Sequence, residues 1–145
     1  MRRFGFLLVL AVMAQPAQAC PDPAAALDSA LAATIAAVRG GDAQALLGRM
    51  SAEGVSFGPD APPTPLAVLR AQFADHGGRY CDVFACNGVE GALHRRFVTG
   101  RMDKSVDARR GLALVFINAN TDDELDLSYR LGADCRWELN GIAAP

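Results

Sequence analysis

The sequence predicts an α+β domain in which three N-terminal helices pack against an antiparallel sheet of four to six strands. Three observations carry this expectation. Leu125, Leu127, Tyr129 and Leu131 alternate with Glu124, Asp126, Ser128 and Arg130, and Cys135, Trp137 and Leu139 alternate with Arg136, Glu138 and Asn140, the period-two pattern of two half-buried strands. Leu27, Leu31, Thr34, Ile35 and Val38 recur at helical spacing in an alanine-rich stretch, giving an apolar face able to cover such a sheet. The 145 residues contain no internal repeat and no linker, which suits a single domain.

The chain opens with Arg2 and Arg3, an apolar run from Phe4 to Met13, Pro16, and small residues at Ala17 and Ala19. This is the pattern of a secretory signal peptide over residues 1–19. The run is too short for a bilayer span, which takes roughly 20 residues, so a retained anchor is the lesser alternative and no stable membrane insertion is expected after cleavage. The domain is expected over 20–145, periplasmic or secreted. A lipoprotein acylated at Cys20 is a second alternative, but it leaves an odd thiol among Cys81, Cys86 and Cys135. In an oxidising compartment the four cysteines form two disulfides. Three connectivities are open; Cys81 with Cys86 and Cys20 with Cys135 is the expected one, and its short bridge requires a bend, since residues five apart on a strand point to opposite faces. Without Arg2 and Arg3 the chain has 12 basic against 16 acidic side chains, a net charge of −4. No basic patch points to nucleic acid.

Asp22 can cap a first helix with Pro23 at its first position, and Gly40-Gly41 ends it. Asp42 caps a shorter helix buried through Leu46, Leu47 and Met50. A brief strand at Val55 to Phe57 leads into a proline-rich loop, Gly58 to Pro63. Thr64-Pro65 starts a third helix with Leu66, Leu69 and Phe73 inward, stopped by His76-Gly77-Gly78. Asn87-Gly88 predicts a tight hairpin joining a strand at Tyr80 to Cys86 with one at Val89 to Arg96. Phe97 to Met102 reads as a further strand and Asp103 to Arg110 as an exposed turn. Leu112 to Ile117 is apolar without alternation, predicting a strand covered on both faces. Gly132-Ala133-Asp134 folds the last two strands into a hairpin, and parity favours Leu131 opposite Cys135, Tyr129 opposite Trp137 and Leu127 opposite Leu139.

Motifs for chemistry are sparse. Gly54-Val55-Ser56-Phe57-Gly58 fits the G-x-S-x-G pattern, but a nucleophile elbow needs a strand before the serine and a helix directly after it; here Ser56 reads as the outward residue between inward Val55 and Phe57. The two histidines, His76 and His94, and the spacing of the cysteines make no zinc site. Asn118, Asn120 and Asp122 begin like a calcium loop, but Asp123 and Tyr129 stand at its glycine and closing-glutamate positions. No metal and no cofactor is expected.

The order of elements, carried by Ala24 to Arg39, Gly41-Asp42, Leu46 to Met50, Val55 to Pro59 and the strand bearing Trp137, resembles the NTF2-like superfamily. The resemblance implies a cone of helices on a curved sheet, with an apolar pocket between them that Phe57, Tyr129 and Trp137 would line. Ketosteroid isomerases of this superfamily carry a general-base aspartate just before a proline on the first strand; aligned on Pro59, that position is Gly58, which cannot take a proton. The preferred reading is therefore a non-catalytic binding module for a small molecule or a protein, as monomer or homodimer. The alternatives are an isomerase, dehydratase or hydrolase of the same fold using His94, Asp60 or Asp126, with Tyr129, and a structural envelope or stress protein.

Overall fold

The computed structural model describes residues 20–144, so the leader expected over 1–19 lies outside the described residues. Asp22 accepts a hydrogen bond from the Ala25 N–H (3.0 Å) and Pro23 opens α1 (Pro23–Arg39). Gly41, at φ 67°, breaks the chain into α2 (Ala43–Leu47), whose cap Asp42 accepts from the Ala45 N–H (2.9 Å). β1 (Ser56–Phe57), α3 (Leu66–Ala74), α4 (Tyr80–Val83) and α5 (Ala92–Thr99) follow, then β2 (Met102–Asp107), β3 (Leu112–Ile117), β4 (Leu125–Leu131) and β5 (Trp137–Ala143). The five strands lie in the order β1-β5-β4-β3-β2; β1 runs parallel to β5 and the other pairs are antiparallel.

The helices cover one face of this sheet. Leu27, Val38, Leu46, Leu69, Phe73, Phe84, Leu93 and Phe97 meet Val115, Ile117, Leu127, Tyr129 and Leu139 in one apolar core, so the period-two pattern of β4 and β5 is the core pattern. No helix among the described residues is long and apolar enough to cross a membrane. The bridges are Cys20–Cys135 and Cys81–Cys86, with no free cysteine among the described residues.

Several expectations are corrected. The hairpin flanking Asn87-Gly88 is reduced to its turn. Cys86 and Val89 exchange backbone hydrogen bonds at 2.8 Å around Asn87 (φ 52°) and Gly88 (φ 78°), both left-handed as a type I′ turn demands. The segments on either side are α4 and α5. Leu93, Arg96 and Phe97 share a buried helical face, a spacing that tertiary packing rewards over strand propensity. His94 thus stands on a helix, and the stretch expected as a strand over Phe97 to Met102 is the end of α5 as far as Thr99, a two-residue break and the first residue of β2. Of the exposed turn expected over Asp103 to Arg110, only Ala108 to Arg110 is turn; Asp103 to Asp107 belong to the edge strand β2, whose exposed charges blunt the sheet edge. β3 is covered on one side only: Ala113, Val115 and Ile117 are buried, while Leu112 and Leu114 remain 44% and 41% exposed on the outer face.

The last hairpin pairs two residues out from the expected register: Leu131 faces Trp137 and Tyr129 faces Leu139. Cys135 adopts φ 62° and leaves the strand for its bridge to Cys20, so the connection runs from Gly132 to Arg136, closed by the Gly132 N–H on the Arg136 carbonyl (2.8 Å). Parity holds as far as Tyr129. The register then slips by one, and Leu127 faces Ile142 across a β-bulge.

Candidate functional site

The bulge shapes the outer face of the sheet. Ser128 faces Gly141, which faces Ser56 across the parallel pair, and the extra residue, Asn140, sits beside them. A Cβ at position 141 would lie 2.2 Å from Ser128 Oγ, so any larger residue there requires that hydroxyl to move. Beside it lies a dent of about 320 Å³ bordered by Ser56, Pro59, Leu114, Asp126, Ser128 and Asn140.

Two acceptors at this dent lack donors. Asp126 Oδ1 and Asn140 Oδ1 are buried without a hydrogen-bond partner, an arrangement that costs free energy unless something fills it. Burial, and secondarily the charge of Glu124, raises the Asp126 carboxyl above its usual range. The residues bordering the dent include no Lys, Arg or His.

Asp126 alone of the three acid–base candidates borders this dent. Asp60 is exposed in the proline loop. His94, 18% exposed on α5, holds Nδ1 at 3.6 Å from the Glu90 carboxylate, beyond hydrogen-bond reach, and that nitrogen has no other partner. The three pocket aromatics are separated. Tyr129 is 1% exposed in the core, where its hydroxyl donates to Thr34 Oγ1 (3.1 Å) and burial pushes its pKa up to about 12. Trp137 is buried with its indole N–H on the Pro23 carbonyl (2.8 Å), its rim bordering a surface groove with Ala30, Arg49 and Arg136. Phe57 is half-buried beneath the Arg79 guanidinium, 4.8 Å from the ring centre, beside a second dent with Asp82 and Leu125. Both cysteine pairs form as expected, the short bridge spanning from helix α4 to the hairpin turn.

Asn140, Ser128 and Gly141 complete the arrangement but carried no functional signal in the sequence. Asn140-Gly141 inside an alternating strand was the available cue, since a glycine in a strand interior marks a bulge or a close approach. Gly58 has φ 126°, a conformation that an aspartate rarely adopts.

No protein-family model matches the sequence, and no curated protein does. Among solved structures, a ketosteroid isomerase-like protein of Shewanella frigidimarina NCIMB 400 superposes with a TM-score of 0.50 at 11% identity, over 84% of this chain and 96% of that one. The fold is NTF2-like, α+β with a five-stranded mixed sheet. At this identity the likeness speaks of the fold alone.

Proposed function

We propose that residues 20–145 form one extracytoplasmic, non-catalytic binding domain of NTF2-like fold, whose recognition surface is the outer face of the sheet around the dent. The pair of buried, donor-less oxygens on Asp126 and Asn140 carries this reading, because unmet acceptors beside the exposed Leu114 leave a surface whose polar and apolar needs a ligand can satisfy together. The side of the sheet facing the helices is occupied by side chains whose polar groups are already bonded: Tyr129 on Thr34 and Trp137 on Pro23. Two disulfides suit an oxidising compartment outside the cytoplasm.

A second reading draws on the raised pKa of Asp126, which fits a general base in an enzyme acting at the same dent. The two are separated by one experiment. A fragment library of amines, acids and apolar molecules is titrated into the isotope-labelled protein while amide chemical shifts are followed. Saturable shifts confined to residues around 56, 126–128 and 140–143, with the ligand unchanged, are expected. Shifts clustering among the helices, or conversion of a hit that stops with Asp126→Asn, overturn the non-catalytic outer-face reading.

A further inference from the structure

Resting on the binding reading above, we infer that the dent takes a primary ammonium group carried on a short alkyl stem. The argument begins with the donor and acceptor inventory. Asp126 offers a carboxylate, Asn140 an amide oxygen without a partner, and Ser56 and Ser128 offer hydroxyls. An ammonium carries three donors and no acceptor, so it answers this set without leaving a lone pair of its own unmet.

Charge points the same way. An anion would enter beside Asp126 with no cationic side chain bordering the dent to receive it, and Glu124 adds a negative field that already acts on the Asp126 carboxyl. A carboxylate taken partly out of water with no partner is costly, and a cation within hydrogen-bond distance removes that cost. A neutral donor supplies the bond but not the charge.

Shape adds the stem. Leu114, Ile142 and Ala143 form the apolar part of the wall, and the volume of about 320 Å³ holds a few methylenes besides the head group. Oδ1 of each residue is covered, but the terminal torsions of Asp and Asn are soft. A turn of the Asn140 amide therefore brings its oxygen outward, and at the half-buried Asp126 the incoming N–H meets the second carboxyl oxygen, which is not among the covered atoms.

The test uses n-butylammonium chloride as probe, with sodium butyrate, 1-butanol and tetramethylammonium chloride as comparators, each titrated into the labelled protein at constant ionic strength. Butylammonium is expected to shift residues 56, 126–128 and 140–143 saturably, with a Kd on the order of 1 mM for so few heavy atoms. Asp126→Asn is expected to weaken it about tenfold and Asn140→Ala several-fold, the loss typical of a charge-assisted hydrogen bond. Equal affinity in both variants overturns the assignment. So does saturable binding of butyrate, butanol or tetramethylammonium at the same residues with butylammonium no tighter, an outcome that leaves the outer-face binding reading standing. No saturation by any of the four overturns the ammonium inference by itself; failure of the wider fragment library is what removes the binding reading.

Discussion

Asp126 sits where one carboxyl oxygen is buried without a donor and its ionised form is disfavoured. The consequence for stability has a definite sign. A carboxyl whose folded-state pKa lies above its unfolded value contributes stability that is fully present below the unfolded pKa and is lost as pH rises through the folded pKa. At neutral pH the ionised Asp126 therefore opposes folding. Asp126→Asn is expected to raise the thermal midpoint at pH 7 and to lose that advantage as pH falls through the ordinary carboxylate range. A lower midpoint at pH 7, by calorimetry, would show that the carboxylate finds a stabilising partner. The sequence placed Asp126 and Asn140 on the outward face by parity alone, and Ser56 outward between Val55 and Phe57. It could not tell that two of those polar groups stand without partners, because satisfaction depends on atomic positions that alternation does not encode.

At the scale of elements, what was legible followed local rules. The caps at Asp22 and Asp42 hold their N–H groups as the residue types demand, and Asn87-Gly88 makes its tight turn. What failed did so where a distant constraint intervened: Cys135 is drawn out of its strand by Cys20, which lengthens the turn and moves the register by two. The parallel pairing of β1 spans two residues, Ser56 with Gly141 and Phe57 with Ile142, too short for any periodic signal. The bulge that shifts the register again can be tested directly. Gly141→Ala places a methyl against Ser128 Oγ and is expected to cost about 1–3 kcal/mol as overpacking. Ser128→Ala in the same chain removes the clashing atom, leaving the Ser128 Cβ at an ordinary 3.5 Å, and should recover most of the loss in a double-mutant cycle. Additive effects of the two substitutions in urea unfolding would mean that the bulge floor is not packed as described.

At the scale of the whole described domain, contacts join the first described residues to the last hairpin. Cys20 bridges to Cys135 in the β4–β5 connection, 115 residues away, and three residues after Cys20 the Pro23 carbonyl receives the indole N–H of Trp137 from β5. The start of α1 is thereby fixed to the sheet it covers. The other bridge, Cys81–Cys86, closes a separation of only five residues. In the chain-entropy view a cross-link stabilises by restricting the unfolded chain, and the restriction grows with the logarithm of the loop. The long bridge should then contribute about 5 kcal/mol and the short one about 2 kcal/mol. Against a total of about 5–15 kcal/mol for a native domain, loss of the first alone brings the fold near its limit. Replacing Cys20 and Cys135 together by serine is therefore expected to lower the urea midpoint far more than replacing Cys81 and Cys86, and full reduction should unfold the domain at physiological temperature or leave it marginal. Equal losses for the two pairs, or a larger one for Cys81 and Cys86, would place the stabilisation in local geometry rather than in chain closure.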